Sequence, residues 1–577
     1  MQRMSSEFRE RLSTIRAAYI FLAVVAVIIF LIRLTGPPDL MGKDQERPAA
    51  YVMDVLQNGE WLCQRDHLYD ITSKPPMYTW LAASAAYAFG GLNLATLYLP
   101  SAASTLAIAW LILGVGRAQF GLMSGFFGAL MYLLSFVSLK QIALARSDGV
   151  FALTVTIAAF LAYRAWTLQR GWTWFWIAAV MATLTKGPLG VLLAAGGLLA
   201  VVWQRRSGEP MPLKGSHWLG IALFVLVAGG WFVLSFLKFG QPLIDKMLKQ
   251  EFLTQTISDE RGAPMGKGFY KPSLYFLVRF APWSLLACAG FWRVWRSPST
   301  EANQRSFERF LFCWFFVGLF FFSCSPHQRG DLLWPLIPAA ALLGGRELAR
   351  FAARFETRKL IWSTVGVTFL ILFLMAPFIS WATSGTGKTI YVPETKGMIQ
   401  LAALIREQVG RSFPLTHVDD PFALQFYLGA MRRVVSFQRA ADLLDGDAAA
   451  FILVRDLAKL ESCRQQNETK ELYELARWPA TDEPFVRIVS NHPRLEWTRS
   501  MAACWGRWRV HMEDARVIRA SETEIVFESS TTGKGTVQIT NESGDRQLIR
   551  MRLIDGGTEL SNSAILAPGQ PLRVPHQ

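Results

Sequence analysis

A few charged residues break otherwise apolar stretches of this sequence, and their types suit a small range of chemistry. Asp44 opens the polar segment DQER, with Arg47 at its end. Lys74 precedes a Pro-Pro pair, Asp148 closes the segment ALARSD, and Lys186 and Lys267 sit in TKGP and GKGFYKP. A carboxylate beside a hydroxyl or amine can take its proton in general-base catalysis. Lysines and arginines supply the charge-assisted hydrogen bonds that a phosphate or pyrophosphate needs. The set therefore suits a nucleophile attacking a phosphorylated compound. Any one such charge at a helix end commonly serves only as an interfacial anchor. Several converging at one membrane surface mark a site, because charge at membrane depth is costly. Whether they converge depends on the elements that carry them.

The chain has 577 residues, of which 52% are hydrophobic and only 18% charged, against about 25% charged in typical soluble proteins. The shortfall lies in the first 380 or so residues, which are dominated by apolar runs. Spanning helices of roughly 20 residues are expected at 17–34, 97–115, 121–138, 149–164, 171–185, 187–203, 217–236, 273–294, 308–324, 332–344 and 359–381. The first run follows Arg3, Arg9, Arg11 and Arg16 and ends in Gly-Pro-Pro with no small-residue cleavage site, so it reads as a retained signal anchor. Every second loop is basic: Arg117, then Arg164 and Arg170, then Arg205, Arg206 and Lys214, then Arg293 to Arg309, then Arg346 to Lys359. By the positive-inside rule these loops and the N-terminus are cytoplasmic. That pattern accounts for the net charge of +15 without nucleic acid as a partner.

The remaining loops face outward, and the unusual polar residues fall there. The first outer loop, 35–96, holds Asp44, Arg47 and Lys74; the next hold Arg146 with Asp148, and Thr185 to Pro188. A fourth, 237–272, contains Lys246, Lys249, Lys267 and Lys271, and a fifth has His327, Gln328, Arg329 and Asp331. Residues 75–90 are apolar, but a crossing there would reverse every later loop. They read instead as an interfacial helix with Tyr78 and Trp80 at headgroup level. No GxGxxG after a strand and no P-loop occurs, which disfavours a nucleotide-sugar enzyme of the soluble type.

Beyond about residue 390 the pattern changes to that of a water-exposed domain. Residues 395–410 and 422–430 read as helices, and 434–437 and 451–456 as buried strands. From 505 onward EIVFES, GTVQIT and QLIRMRLI have strand character, giving a β-rich end or a small sandwich. His417, Asp419 and Asp420 read as a strand-end turn in preference to a metal site. Cys288, Cys313 and Cys324 read as packing residues, and Cys463 and Cys504 could pair in an oxidising compartment.

Four segments in order resemble the ArnT-like and protein O-mannosyltransferase superfamily of GT-C glycosyltransferases. They are DQERPAAYVMDVLQNGEW (Asp44–Trp61), SKPP (Ser73–Pro76), ARSD (Ala145–Asp148) and LTKGPLG (Leu184–Gly190). The resemblance covers roughly residues 17–380. It implies a polytopic α-helical membrane protein of about 11–13 transmembrane helices with an extracytoplasmic α/β plus β-rich C-terminal domain. The domain boundaries that follow are 1–385 for the membrane part, 386–504 for the α/β part and 505–577 for the β-rich part. It also implies an enzyme that transfers a sugar from a polyprenyl (undecaprenyl) phosphate donor. The acceptor would be a lipid A-like glycolipid, another cell-envelope acceptor or a protein. The site would face the periplasm from a bacterial inner membrane.

Carried over by motif, Asp44 matches the catalytic base and Asp148 a second acidic site residue. Lys74 matches the donor-phosphate lysine, with Arg47 and Lys267 in support, and Lys186 matches the family's TKGP lysine. Departures are Gln45 for the usual second acid, Pro48 for tyrosine, and Ser73 for the glutamate that many relatives carry before Lys-Pro-Pro. No metal ligand is assigned for that reason, and a divalent metal is left as an open cofactor. Two rival readings are a non-catalytic lipid-linked-sugar binder and a flippase or transporter; the latter expects an internal repeat and midplane polar residues, and neither is evident.

Overall fold

A computed structural model describes residues 2–35, 40, 43–247, 249, 268–383, 391–409, 415–420, 422–446, 449–464, 471–478, 486–493, 500–505, 508–513, 515–520, 524–529, 535–541, 547–555 and 558–576. The chain forms two units: Met1–Pro38 with Ile71–Thr389, and Asp39–Asp70 with Ile390–Gln577.

The first unit is helical. Among the described residues eight helices are long and apolar enough to cross a bilayer, and the bent pair Lys271–Arg279 and Trp283–Arg296 makes a ninth. Leu122–Leu133 and Trp172–Lys186, of 12 and 15 residues, occupy the two remaining apolar runs. Each run expected from the sequence thus carries a helix, and the chain is a multi-pass membrane protein. Without a hydrophobic drive between helices in lipid, close approach depends on small residues. Leu122–Leu133 meets Ile337–Ala352 in this way: a Cβ at Gly345 would lie 2.4 Å from the Gly128 amide nitrogen. Gly345→Val is expected to force these helices apart at a cost of about 1–3 kcal/mol. Thermal unfolding of the detergent-solubilised protein checks this, and an unchanged midpoint would mean the interface yields easily.

The basic loops meet one another at one end of this unit. Trp166 Nε1 donates to the Met211 carbonyl at 3.0 Å and Gln169 to that of Pro212 at 2.8 Å. Arg309 reaches Glu209 at 3.1 Å, Arg346 pairs with Glu308, and Arg293 reaches Glu347 at 3.3 Å. The alternation seen in the sequence is therefore built into the packing. Residues 75–90 form the helix Met77–Ala88. Tyr78, expected at headgroup level, is instead buried, with its hydroxyl donating to the Leu97 carbonyl at 2.7 Å. Its neighbours Ala82, Ala83 and Ala86 share that buried face, and Leu81, Tyr87 and Phe89 are exposed.

The second unit holds twelve strands among its described residues. β1 (Leu415–His417), β2 (Phe451–Val454), β4 (Val486–Ser490) and β3 (Tyr473–Trp478) form one sheet in that order, with β1 and β2 parallel. The remaining strands form two four-stranded sheets. One runs β11 (Thr558–Leu566), β10 (Gln547–Asp555), β8 (Glu524–Ser529), β7 (Ala515–Ala520). The other runs β12 (Pro571–His576), β9 (Gly535–Asn541), β6 (Trp508–Glu513), β5 (Ser500–Trp505). Trp508, Val510, Val537 and Ile539 from one sheet share a core with Phe527, Ile549 and Met551 from the other, which is the packing of a sandwich.

Two expectations change here. Residues 434–437 are not a strand: the Val434 and Val435 amides donate to the His67 and His417 carbonyls, and Ser436 caps the helix Phe437–Asp445. The first outer loop, assigned to the membrane part, groups with the tail over Asp39–Asp70. The reason is chemical: Asp54, Gln57 and His67 make hydrogen bonds with residues 429–434.

Candidate active site

In the helical unit Asp148 opens the helix Asp148–Leu168, where the positive end of the helix dipole favours a carboxylate. Lys186 ends the helix Trp172–Lys186, where a cation is favoured. Gly187 follows at φ +82°, a conformation open to glycine and strained for other residues. Gly190 then packs so closely on Ala182 that a Cβ would lie 2.6 Å from the alanine methyl. The segment TKGPLG thus reverses the chain and holds Lys186 Nζ 2.5 Å from Asp148 Oδ1, with both side chains largely buried. Lys74 and Arg146 also act electrostatically on the Asp148 carboxylate.

Arg146 leads to a second group. Asp331, nearly buried, accepts Arg279 at 2.8 Å and both Lys140 and Arg146 at 3.4 Å. Arg279 ends the helix Lys271–Arg279, and its guanidinium lies 5.7 Å from the Phe136 ring centroid. Gly330 leaves room for it, since a Cβ there would come within 2.7 Å of Arg279 Nε. Burial depresses the Lys140 pKa, Arg279 and Arg146 push it the same way, and Asp331 opposes them. Among the described residues five cations (Lys74, Lys140, Arg146, Lys186 and Arg279) thus face two carboxylates in one unit. The surplus of positive charge fits an anionic ligand.

Of the residues singled out by sequence, Asp148 and Lys74 are brought within electrostatic reach of each other. Lys267 lies outside the described residues, as does the side chain of Asp44, whose backbone is in the helix Lys43–Asn58. Lys140 and Arg279 were not singled out; their only signal is a lone cation ending an apolar stretch, SLKQ and FLVRF.

Arg47 belongs to the other unit and is engaged by carboxylates, Asp70 at 3.4 Å and Asp66 at 3.7 Å. Glu46 pairs with His67 at 3.2 Å. Asp66 accepts the Leu68 and Asp70 amides on one oxygen, at 2.9 Å each. Burial raises its pKa above the ordinary aspartate value, against the pull of His67 and those amides. A raised folded pKa means that the folded chain holds the proton more readily than the unfolded one. The stability from this group therefore falls as pH rises between the unfolded and folded values. Asp66→Asn keeps an acceptor for both amides, so it is expected to raise the unfolding midpoint at neutral pH and flatten its acid dependence. A lower neutral midpoint would mean that attraction to Arg47 outweighs desolvation.

His417 and Asp420 bond each other at 2.7 Å, and Asp419 accepts the Arg455 and Asp456 amides, as a strand-end turn requires. Among the described residues no three His, Cys, Asp or Glu side chains converge as metal ligands.

Known proteins share this fold. The family model described as dolichyl-phosphate-mannose-protein mannosyltransferase matches residues 73–231. An undecaprenyl phosphate-alpha-4-amino-4-deoxy-L-arabinose arabinosyl transferase 2 of Proteus mirabilis is 24% identical over 388 residues, 65% of this chain and 67% of that protein. Its counterpart in Pseudomonas fluorescens is 26% identical over 62% of each chain. An uncharacterized protein of Aquifex aeolicus is 23% identical, and the match spans only 56% of its length. The crystal structure of ArnT from Cupriavidus metallidurans bound to undecaprenyl phosphate superposes with a TM-score of 0.61 at 19% identity, covering 83% of this chain and 98% of that one. The chain is similar in sequence to the ArnT-like and protein O-mannosyltransferase superfamily and has the GT-C fold.

Proposed function

We propose that the chain is a membrane glycosyltransferase that moves a sugar from a polyprenyl-phosphate donor, undecaprenyl phosphate in a bacterium, to a lipid A-like or other cell-envelope glycolipid on the extracytoplasmic face. The observation that carries this reading is the excess of cations over carboxylates around Asp148 and Asp331 among the described residues. In support, an apolar groove of about 420 Å³ is lined by Phe276, Phe291, Trp292, Phe312 and Phe316. Phe276 stands one turn before Arg279 on the same helix, so the groove suits an isoprenoid chain while the cations suit its phosphate. The basic loops at the other end of the unit favour a cytoplasmic face there.

In the reaction an acceptor hydroxyl attacks the anomeric carbon of the sugar. The bond from that carbon to the phosphate oxygen breaks, and its electron pair leaves with the phosphate. Inversion follows from a single displacement. Asp44 takes the acceptor proton as base. The phosphate departs as a stable anion, so no general acid is needed. Lys74 holds the phosphate, with Lys267 in support, and Asp148 lies by the sugar or acceptor. The pairing of Arg47 with Asp66 and Asp70 fits it to holding the first loop.

The test is transfer from radiolabelled polyprenyl-phosphate sugars to membrane extracts. Label should enter a glycolipid fraction with wild type. Lys74→Ala should weaken donor use by about 10- to 100-fold, since a hydrogen bond to a charged group is worth roughly 1.5–3 kcal/mol. The matched family model is named for a protein acceptor, which favours one second reading: label in a protein fraction would establish it. Donor that binds but is never consumed would overturn the enzyme reading.

A further inference from the structure

We infer that Arg433, far down the chain, is a positioning residue for the loop that carries the base. The inference rests on the proposed role of Asp44. Arg433 is 4% exposed and reaches four residues of the first loop. Its Nη2 donates to Asp54 Oδ1 at 2.7 Å. Its Nη1 donates to the Arg65 carbonyl at 3.0 Å and also to the Asp66 carbonyl. Its guanidinium lies 5.4 Å from the Tyr69 ring centroid.

Asp54 is fully buried in the helix Lys43–Asn58, and its other oxygen accepts the Arg65 amide at 2.8 Å. One planar fork therefore fixes both the helix and the turn that follows it. That turn folds back on the first turn of the helix through the Glu46–His67 and Arg47–Asp66 pairs, at 3.2 and 3.7 Å. Asp44 stands two residues before Glu46. The grip is reinforced by Gln57, which donates to the Gly429 carbonyl and accepts the Met431 amide, both at 3.0 Å.

A base must sit at hydrogen-bond reach of the proton it removes. A displacement of about 1 Å, even by a change remote from the chemistry, can cost roughly 100-fold in rate. A lysine at 433 keeps the charge but cannot make the forked, multi-point contact of a guanidinium. Loosening this grip should thus lower turnover without altering how the donor phosphate is held.

The experiment uses full-length protein in nanodiscs with a radiolabelled polyprenyl-phosphate sugar and the acceptor found by the transfer assay. Arg433→Lys is expected to cut kcat about 10- to 100-fold with donor KM unchanged. Gln57→Ala, which leaves the buried ion pair in place, should cut kcat less, with the same KM. The pair Arg433→Gln with Asp54→Asn, which leaves no buried charge unpaired, should recover part of the Arg433→Gln loss. Turnover of Arg433→Lys within twofold of wild type would overturn the inference, as would a rise in donor KM at unchanged kcat. Asp44→Asn runs in parallel: if it retains transfer, the reading of the base fails and this inference with it. If it is inactive while Arg433→Lys is normal, only the inference fails.

Discussion

Asparagine in place of Asp44 is expected to reduce transfer by about 100- to 10,000-fold, the usual contribution of a positioned general base. The two side chains have the same shape, so the substitution removes the ability to take a proton and little else. Asp44 is in the first turn of the helix Lys43–Asn58, where the helix dipole favours a negative charge. Gln45, beside it, is buried and cannot ionise, so it offers no second carboxylate to take over. Donor binding depends on the cations of the helical unit and should survive. Single-turnover transfer with labelled donor, measured beside equilibrium donor binding, separates the two. Transfer within tenfold of wild type would remove Asp44 from its role. Loss of donor binding together with transfer would assign it to the donor instead.

The parts of this architecture that were readable in advance depend on short-range patterns. Apolar runs such as 97–115 and 308–324 must be helices in lipid, because only helices and closed barrels satisfy their own backbone there. Alternating β-strands such as GTVQIT betray themselves by period. Asp148 and Lys186 are legible because the turn TKGP and the helix start ARSD are local features, and their meeting follows from antiparallel neighbours. Contacts over long separations were not readable. Arg279 reaches Asp331 across 52 residues and Lys140 reaches it across 191, and a lone cation ending an apolar run does not name its partner. Tyr78 has the amphipathic look of a headgroup residue, yet its hydroxyl finds the Leu97 carbonyl and the ring is buried. The grouping of the first loop with the tail rests on Arg433 and Gln57, whose bonds span more than 360 residues. Nothing in the composition of VVSF shows that its amides serve two other segments instead of a sheet.

The Asp148–Lys186 pair supplies the second large effect. At 2.5 Å, with both side chains largely buried, each partner depends on the other for compensation of its charge. Removing one member of a buried pair costs about 3–5 kcal/mol, because the remaining charge is stranded. Lys186→Met strands Asp148, but two other cations act on that carboxylate, Lys74 and Arg146. Arg146 already pairs with Asp331, so Lys74, on a flexible stem, is drawn toward Asp148. The expected result is therefore a loss of donor affinity of about 10- to 100-fold, since a lysine drawn to Asp148 no longer supports a phosphate. The double substitution Asp148→Asn with Lys186→Met leaves neither charge stranded. It should restore both the unfolding midpoint and donor binding, with a coupling between the two sites of about 0.5–3 kcal/mol. Transfer should nevertheless stay low in the double variant, because the acidic group by the sugar or acceptor is gone. Recovery of transfer together with binding would make Asp148 a structural partner of Lys186 and nothing more. Failure of donor binding to recover would place Lys186 itself on the phosphate.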